Sequence, residues 1–514
     1  MTTHAKAGPA KGTCAITLRR SCAVTLLAAV LGACTAVGPD YVPPHVIMPD
    51  QWHQDLVDGL TDQPADLASW WTGLNDPILD DLMARASNGN LTVKEAVARI
   101  LEARGNVGIA AGEELPSING IGNIDMNRVS TGVQEELGSA RQRRSTLYEL
   151  GMDATWEVDL WGRISRSVES ADATYQATLE DFRDVLVSLY AEVALAYTDA
   201  RTFQARIDAA LRNIKSQRQT LNLVEDRRRA ELASDLEVAQ AQLNLATTEA
   251  SVPPLRAGLS QSIHRLSVLI GEHPAALYPL MLTEKPIPQP PKRILVGVPA
   301  DTLRRRPDIR SAERQLAAQT AQVGVATADL YPRLTLSGFF AFQKFGPREF
   351  FDSKNLAYGL GPQVIWNVFD GGRVRSNIDV QDALTEQVLF QYEQTVLNAL
   401  QEVEDASVAF AQENLRKAAL GRSVNAASRS VRLVQDLYVT GLTDFQNVQD
   451  QEQRKAQQDD QYAESTGRVT ANLINLYRAL GGGWQPVDPD TKTTTDKGAP
   501  RPDVAMARTP PSGS

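Results

Sequence analysis

The stretch 148-YELGMDATWEVDLWGR-163 and the stretch 358-YGLGPQVIWNVFDGGR-373 are two copies of one pattern, 210 residues apart. Tyrosine, leucine, glycine, tryptophan, valine, glycine and arginine recur in the same places, and the match continues without a gap downstream. Upstream the offset becomes 216, so a six-residue length difference falls before these stretches, as is usual for an exposed loop. The chain is therefore two copies of one unit, at residues 90–271 and 306–484.

Each copy begins with a helix and continues with two strands. The pattern predicts the first helices over residues 91–114 and 308–328, each ended by a proline. Strands are predicted within about 117–158 in the first copy and 333–367 in the second. The second copy gives the clearer signal, because apolar residues alternate roughly along 334–342.

Very long helices follow the strands in both copies. Residues 163–250 contain neither glycine nor proline. A helix over 163–229 would be about 100 Å long at 1.5 Å per residue, far more than a globular domain needs. Apolar residues also recur in alternating steps of three and four, which is typical of coiled coils. These residues are Leu179, Phe182, Leu186, Leu189, Val193 and Ala196, and in the second copy Leu389, Tyr392, Val396, Ala399, Val403 and Ala406.

Matching turns predict that each long helix reverses direction. Ser234 with Glu237, and Thr443 with Gln446, have the spacing of capping boxes that start a returning helix. Pro253-Pro254 is expected to break the returning helix of the first copy.

Composition excludes several classes of function. The formal net charge is -10, which disfavours nucleic-acid binding because phosphate contacts need clustered Lys and Arg. The five histidines show no metal-ligand spacing, and no nucleophile or phosphate-loop motif is present. We therefore expect no catalytic residue, no metal and no cofactor. No internal run of about 18 apolar residues occurs, so no membrane-spanning helix is predicted.

The N-terminus has the pattern of an export signal. A basic segment precedes a short apolar run that is too short to span a bilayer. The run ends in Leu31-Gly32-Ala33-Cys34, which resembles a bacterial lipobox. The resemblance implies cleavage after residue 33, with S-diacylglycerol and N-palmitoyl groups on Cys34. Thr35, where inner-membrane lipoproteins usually have Asp, favours the outer membrane.

The remaining cysteines, Cys14 and Cys22, precede that site, so no disulfide framework is available downstream. Residues 34–68 are proline-rich and predicted to be extended, and 69–89 to hold a helix near the belt of the molecule. Residues 272–305 connect the copies. Residues 485–514 have few apolar side chains and are predicted to be a disordered tail.

The four predicted strands cannot form a closed membrane structure within one chain. An open sheet facing lipid would leave backbone groups unpaired at a cost of several kcal/mol each. Known membrane barrels contain at least about eight strands. If the strands lie in a membrane, several chains must share one barrel, with the long helices continuing as a hollow cylinder. The number of chains does not follow from the repeat.

Several motifs in this order resemble the TolC superfamily, most closely its lipid-anchored OprM/NodT-type outer-membrane factors. The resemblance covers residues 31–484. The motifs are Cys34 followed by Val37-Gly38-Pro39-Asp40-Tyr41, Trp70-Trp71 with Asn75-Asp76-Pro77, Val298-Pro299-Ala300-Asp301-Thr302-Leu303-Arg304-Arg305-Arg306-Pro307-Asp308-Ile309, Ala328-Asp329-Leu330-Tyr331-Pro332, Phe369-Asp370-Gly371-Gly372-Arg373 and Tyr438-Val439-Thr440-Gly441.

The resemblance implies a mainly α-helical protein with a membrane β part. It implies a homotrimer in which four strands per chain form a 12-stranded barrel above a periplasmic tunnel of coiled-coil helices. It also implies partnership with a periplasmic adaptor (membrane fusion) protein and an inner-membrane RND pump that supplies the energy for drug efflux. Other open alternatives are the duct of a type I protein secretion system and a lipid-anchored periplasmic adaptor.

The resemblance places a periplasmic gate at the helix turn of the second copy. The family tends to carry acidic residues after a Tyr-x-x-Gly turn, here Tyr438 and Gly441. Asp450 matches one acidic position, whereas Asn447 stands where relatives have a second Asp. Three Asp450 carboxylates at a constriction would favour cations; a solvated helix face is the alternative.

The helix tips are expected to contact the adaptor, and their arginines to pair with an acidic partner or to be solvated. Trp70 and Trp71 are expected to pack near the belt. Phe339, Phe340, Phe342 and Phe345 are expected to face lipid, or alternatively to pack in a core or loop. The tip residues are Arg227, Arg228, Arg229, Leu232, Ser234, Leu442, Thr443 and Asp444.

Overall fold

The structure, a computed structural model, describes residues 36–45, 48–53, 60–63, 67–128 and 144–484. The export signal, Cys34 and the tail lie outside the described residues. The described elements in chain order are β1 (Leu60–Thr61), a 3-10 helix (Trp70–Leu74), α1 (Pro77–Gly89), α2 (Leu91–Gly112), β2 (Ser117–Arg128), β3 (Arg144–Val158), α3 (Arg163–Arg229), α4 (Asp235–Leu269), α5 (Tyr278–Met281), β4 (Ile294–Leu295), α6 (Pro299–Arg305), α7 (Pro307–Ala328), β5 (Arg333–Phe345), a 3-10 turn (Ser353–Asn355), β6 (Leu356–Ile365), α8 (Arg373–Val439) and α9 (Phe445–Ala479).

The two copies contain helices of equal length. The first helices α2 and α7 have 22 residues each, the long helices α3 and α8 have 67 each, and the returning helices α4 and α9 have 35 each. The long helix predicted over 163–229 is confirmed at both ends. Gly162 and Gly372 precede α3 and α8 with φ of +78° and +86°, a conformation that glycine adopts without strain.

The prediction that Pro253-Pro254 breaks the returning helix is wrong, because α4 is continuous through both prolines. Each proline removes one helical hydrogen bond, but the flanking Val252 and Leu255 are buried in the packing of α4 along α3. Most of the stability of a helix in a protein comes from such packing, which here outweighs the local cost of the prolines.

A four-stranded antiparallel sheet joins the two copies in the order β2-β3-β5-β6. The central pair, β3 with β5, connects one copy to the other over twelve residue pairs from Leu147↔Phe345 to Val158↔Leu334. The outer strands β2 and β6 each have one partner in this sheet, so the sheet has two edges.

The helices lie side by side below the sheet. Helix α7 contacts both α3 and α8, whereas its counterpart α2 contacts α3. Helices α4 and α9 run back along α3 and α8, and α9 also packs on α3. Among the described residues, no helix combines the length and apolar composition needed to span a membrane.

The main hydrophobic core forms a belt where the returning helices end. It joins α1, the middle of α3 and the ends of α4 and α9. Trp70 stacks on Tyr477 with ring centroids 5.0 Å apart, and Trp71 on Tyr190 at 4.7 Å, so the expectation that both tryptophans pack near the belt is confirmed. Asp76 caps α1 and accepts a hydrogen bond from the Tyr197 hydroxyl at 2.5 Å.

The described part of the N-terminal segment crosses the junction between sheet and helices. Ala36 lies against Gly162, where a Cβ would approach the Ala36 Cα to 2.6 Å, and Gly38 lies as closely against Gly324 of α7. The buried Arg166 donates to Asp40 at 2.6 Å and thereby fixes the segment to α3. Residue 36 is therefore held at the end of β3, where the sheet meets the long helices.

Candidate functional site

The turns of the two helical hairpins lie together at the end of the molecule farthest from the sheet. Val224 of α3, Ala241 of α4, Val434 of α8 and Val448 of α9 form a small buried cluster with Tyr438 and Phe445. This cluster fixes the first hairpin against the second. The turn residues therefore occupy one surface, as the sequence-based assignment of gate and tips requires.

Tyr438 connects the second hairpin to the first. Its hydroxyl donates to Glu237 of α4 at 3.0 Å, and its ring packs on Phe445 at 5.4 Å. The Arg227 guanidinium lies 4.7 Å from the Tyr438 ring centroid, within cation–π range. Burial and the hydrogen bond to Glu237 raise the pKa of Tyr438 to about 12, so the hydroxyl stays a donor at neutral pH.

The three tip arginines already have partners within the chain. Arg227 also donates to the Val439 carbonyl at 3.0 Å, Arg228 pairs with Asp235 at 2.7 Å, and Arg229 pairs with Asp226. As cations in the last turn of α3, they also oppose the negative end of its dipole. Engagement by an acidic partner would have to compete with these contacts.

Exposed leucines make up the apolar part of the tips. Leu232 is 66% exposed in the first turn and Leu442 is 75% exposed in the second. Because the two turns share one surface, these leucines are available for contact with a partner protein.

The predicted gate residues lie on the first turns of α9. Asp450 accepts a hydrogen bond from Gln446 at 2.9 Å, and Gln446 accepts one from Gln240 of the first hairpin at 3.2 Å. Asn447 is exposed and donates to Thr443 at 2.9 Å. Gly441 has φ of +74°, which explains glycine in the Tyr-x-x-Gly turn. Asp450 therefore accepts a hydrogen bond, but it has no cationic partner within the described part of this chain.

One of the two predicted capping boxes is wrong. Ser234 caps α4 by accepting the Glu237 amide at 3.3 Å. In the second turn the helix begins one residue later than the predicted box requires, so the N-cap is Asp444, which makes no side-chain capping bond. Thr443 precedes the N-cap, and its hydroxyl accepts a hydrogen bond from Asn447.

We expect Ser234→Ala to weaken the first turn of α4 by about 1 kcal/mol, because it removes a capping acceptor. Hydrogen exchange of the Asp235–Leu269 helix should then be faster at its N-terminus. Thr443→Ala is the matched control and should leave the start of α9 unchanged. Equal acceleration in both variants would contradict the assignment of the caps.

A buried carboxylate that the sequence analysis did not identify connects the four helices of the two hairpins, α3, α4, α8 and α9, just above the tips. Glu452 of α9 is 4% exposed. It accepts hydrogen bonds from Thr220 of α3 at 2.5 Å, Gln435 of α8 at 3.1 Å and Asn244 of α4 at 3.1 Å. Its only sequence signal is a charged residue on the apolar side of α9, four positions after Val448.

Burial raises the pKa of Glu452 above its ordinary value of 4.5, although the three hydrogen bonds and Lys455 oppose the shift. All three contacts come from donors, which fits an ionised carboxylate. Arg206 with Asp460, joined by two hydrogen bonds at 2.7 and 2.9 Å, extends the polar connection between α3 and α9 toward the belt.

The two faces of the sheet differ sharply in polarity. One face carries Asp125, Glu149, Asp153 and Glu157 among mostly small or polar residues, although a few large apolar side chains such as Leu147 also lie on it. The opposite face is apolar and largely exposed. Its apolar residues are Ile118, Ile124, Met126, Tyr148, Leu150, Met152, Trp156, Val158, Leu334, Leu336, Phe340, Phe342, Leu356, Tyr358, Leu360, Pro362 and Val364.

The four phenylalanines of β5 do not share one surface. Strand alternation puts Phe340 and Phe342 on the apolar face and Phe339 and Phe345 on the polar face. The expectation that all four face one environment is therefore wrong, because their spacing includes both odd and even steps.

Comparison with known proteins identifies this arrangement. The profile of the outer membrane efflux protein family matches residues 82–272 and 298–482, which correspond to the two copies. The chain belongs to this family. Nodulation protein T of Rhizobium leguminosarum bv. trifolii is 30% identical over 459 residues, covering 89% of this chain and 96% of that protein.

Other outer membrane efflux proteins support the same assignment. The pyoverdine export outer membrane protein OpmQ of Pseudomonas aeruginosa is 30% identical over 469 residues, covering 89% of this chain and 95% of OpmQ. The solved structure of the outer-membrane channel OprN has a TM-score of 0.82 at 35% identity, covering 88% of this chain and all of OprN.

The resemblance to the TolC superfamily is thus confirmed. This efflux protein is a channel component of the outer membrane with its long helices in the periplasm. Within the described parts of residues 36–484, no group of three or more His, Cys, Asp or Glu residues is arranged so that it could hold a metal ion.

Proposed function

We propose that the chain forms the exit duct of a tripartite efflux pump, as a homotrimer with a shared 12-stranded barrel and a periplasmic helical tunnel. The duct conducts drugs or other small molecules passively. An inner-membrane RND pump supplies the energy, and a periplasmic adaptor protein joins the pump to the helix tips. The observation that carries the proposal comes from comparing the two copies of the repeat. Helix faces and strand edges that are covered where the two copies meet have counterparts, on the two outer sides of the chain, that are exposed.

The uncovered helix faces support assembly with further copies. Leu101 of α2 is 61% exposed, whereas its counterpart Ala317 of α7 is 7% exposed, because α7 lies between two long helices. On α8, Leu397 is 60% exposed, whereas its counterpart Val187 of α3 is 3% exposed. If α8 of a neighbouring copy covers α2 as α3 covers α7, both mismatches disappear.

The sheet edges support the same closure. Strands β3 and β5 pair within the chain, and their counterparts are the free edges β6 and β2. Within the chain, Leu150 of β3 lies opposite Phe342 of β5. Leu360 of β6 is the counterpart of Leu150, and Met126 of β2 is the counterpart of Phe342. The same register between copies would therefore place Leu360 opposite Met126 of the next copy. The predicted pairing keeps apolar residues on the apolar face, and it leaves no edge exposed to lipid.

The location of the N-terminal segment supports a lipid anchor on Cys34. Residue 36 is fixed beside Gly162 at the helical end of the sheet. Two residues span at most about 7 Å, so acyl chains on Cys34 would enter the membrane at this end of the apolar face. A multiply acylated cysteine is a stable anchor.

The hairpin turns are the proposed gate and docking surface. Asp450, with Asn447 close by, would line the constriction, while Tyr438 and Gly441 shape the turn. The adaptor would contact the exposed tips. The tip residues are Arg227, Arg228, Arg229, Leu232, Ser234, Leu442, Thr443 and Asp444.

Cysteine cross-linking tests the closed ring. Met126→Cys with Leu360→Cys should form disulfides between neighbouring copies, because opposed residues in an antiparallel pair have Cα atoms about 4.5–5.5 Å apart. The expected product under oxidising conditions is a covalent trimer that reduction converts to monomer.

Ile118→Cys with Leu360→Cys is the control. Both side chains lie on the apolar face, but the predicted register separates them by eight residues, about 26 Å. A covalent trimer in this control as well, or no cross-link in the first pair, would contradict the proposed closure.

A further inference from the structure

The apolar face of the sheet has cations at one end. Among the strand residues whose side chains the structure describes, the charged groups on this face are Arg128 and Lys344. Both lie at the end farthest from the helices, next to the 346–355 turn, and the exposed Arg348 follows in that turn. The other face carries several carboxylates, so the charges of the two faces are opposite.

Several aromatic side chains lie together at this end of the apolar face. Phe350 and Phe351 of the turn fold over the apolar face and contact Phe342, with ring centroids 6.3 and 5.5 Å away. Tyr358, 77% exposed, lies on the same face. Aromatic rings of this kind collect where a membrane protein meets the lipid headgroups.

An apolar groove lies directly beneath the turn. Most of its lining is apolar, and Asn123 and Glu149 also take part; the lining residues are Gly122, Asn123, Ile124, Tyr148, Glu149, Leu150, Pro347 and Phe350. Its volume is about 420 Å³. Lys344 stands beside it, since it is paired with the groove residue Tyr148. The Lys344 ammonium lies 3.5 Å from the Glu349 carbonyl oxygen and 3.9 Å from the exposed Glu349 carboxylate, a loose ion pair with which a phosphate would compete.

From this juxtaposition we propose that the far end of the apolar face binds an anionic phosphate-bearing lipid, with an acyl chain in the groove and the phosphate within reach of the cations Arg128, Lys344 and Arg348. The inference rests on the proposed barrel, in which this end faces the outer leaflet. The groove supplies apolar contact, and the cations match the charge of a phosphate headgroup.

Charge complementarity selects this occupant over a second protein or an uncharged lipid. A zwitterionic lipid could fill the groove, but its headgroup carries no net negative charge for the cations at this end of the face to attract. A free phosphate could reach the cations, but the groove would then remain without a role. The surface therefore predicts that both parts of the lipid contribute to binding.

Lipid binding to the purified trimer, measured by native mass spectrometry with phosphatidylglycerol and phosphatidylcholine, tests the proposal. Phosphatidylglycerol should bind more tightly. The triple variant Arg128→Gln, Lys344→Gln and Arg348→Gln should lose about fivefold in phosphatidylglycerol affinity per cation removed. Its matched control replaces the exposed Arg422, Arg429 and Arg432 of α8 with Gln and should retain wild-type affinity.

A second pair of variants tests the groove without changing the charge. In Gly122→Ile the new Cβ would lie 3.7 Å from Leu150, an ordinary contact, so the side chain should occupy the groove and weaken both lipids. Gly120→Ile, on the same strand and face with open space around it, is the control.

Two outcomes would overturn the proposal. One is equal lipid affinity of the cation variant and its control. The other is full competition by inorganic phosphate with no effect of Gly122→Ile, which would indicate a simple anion site. The cysteine cross-link described above is measured on every variant, so that failure of the trimer is recognised separately from failure to bind lipid.

Discussion

Replacing Glu452 with leucine is expected to release the two helical hairpins from one another at the tips. Leucine has a similar size, but it removes the acceptor shared by Thr220, Gln435 and Asn244 in a buried layer. Thr220 can still donate to the Ser216 carbonyl at 3.3 Å and Gln435 to the Thr220 hydroxyl at 3.2 Å, whereas the Asn244 amide loses its acceptor. An unsatisfied buried group costs on the order of 1–3 kcal/mol, so we expect a loss of about 1–3 kcal/mol. Hydrogen exchange in the last turns of α3 and α8 should rise, and the resting conductance of the channel should increase.

Two further variants separate the role of Glu452 from a general effect of mutation. Glu464→Leu removes a carboxylate from the same helix that pairs with Arg468 at the surface, and it should cost under about 1 kcal/mol. Glu452→Gln resembles the protonated side chain and should be milder than Glu452→Leu. Equal effects of Glu452→Leu and Glu464→Leu would contradict the role of the buried layer.

The raised pKa of Glu452 also sets the sign of a pH effect. When the pKa of a carboxyl group is higher in the folded protein than in the unfolded chain, the group stabilises the fold most at pH values below its unfolded-state pKa. This contribution is lost as the pH rises through the folded-state pKa. Opening of the tips should therefore become easier as the pH rises above about 4.5. This dependence should be absent in Glu452→Gln.

Replacing Asp450 with asparagine is expected to lower the preference of the channel for cations. The variant can keep the hydrogen bond from Gln446 while removing one charge per chain from the proposed constriction. A unit charge acting over about 4 Å in water contributes on the order of 1 kcal/mol, which corresponds to about fivefold in the permeability ratio of cations to anions. Reversal potentials of single channels in planar bilayers under a salt gradient measure this ratio.

Asn447 allows the opposite change on the same helix. Asn447→Asp would create a second acidic ring and should raise the cation preference. Asp444→Asn, an exposed position in the turn, is the control for charge loss outside the constriction and should have little effect. If Asp450→Asn and Asp444→Asn behave alike, Asp450 does not line the gate.

The helices and strands themselves followed from local patterns. The repeat predicted equal helices in both copies, and the absence of glycine and proline together with the capping box at Ser234 predicted the bounds of α3 (Arg163–Arg229). Predictions from neighbouring residues failed where tertiary packing or the exact start of a helix determined the local structure. Pro253 and Pro254 remain helical because α3 supports α4, and Thr443 does not cap α9 because the helix begins at Phe445 with Asp444 as its N-cap.

The sequence by itself determined the duplication, the long helices and the strand pattern, because these depend on periodicity and on residues near in the chain. Only the tertiary structure decided which distant residues meet. The contacts of Glu452 join residues up to 232 positions apart, and the engagement of the tip arginines depends on how the two hairpins pack. Such contacts leave no periodic trace in a single sequence, since their geometry is set by the relative positions of four separate helices.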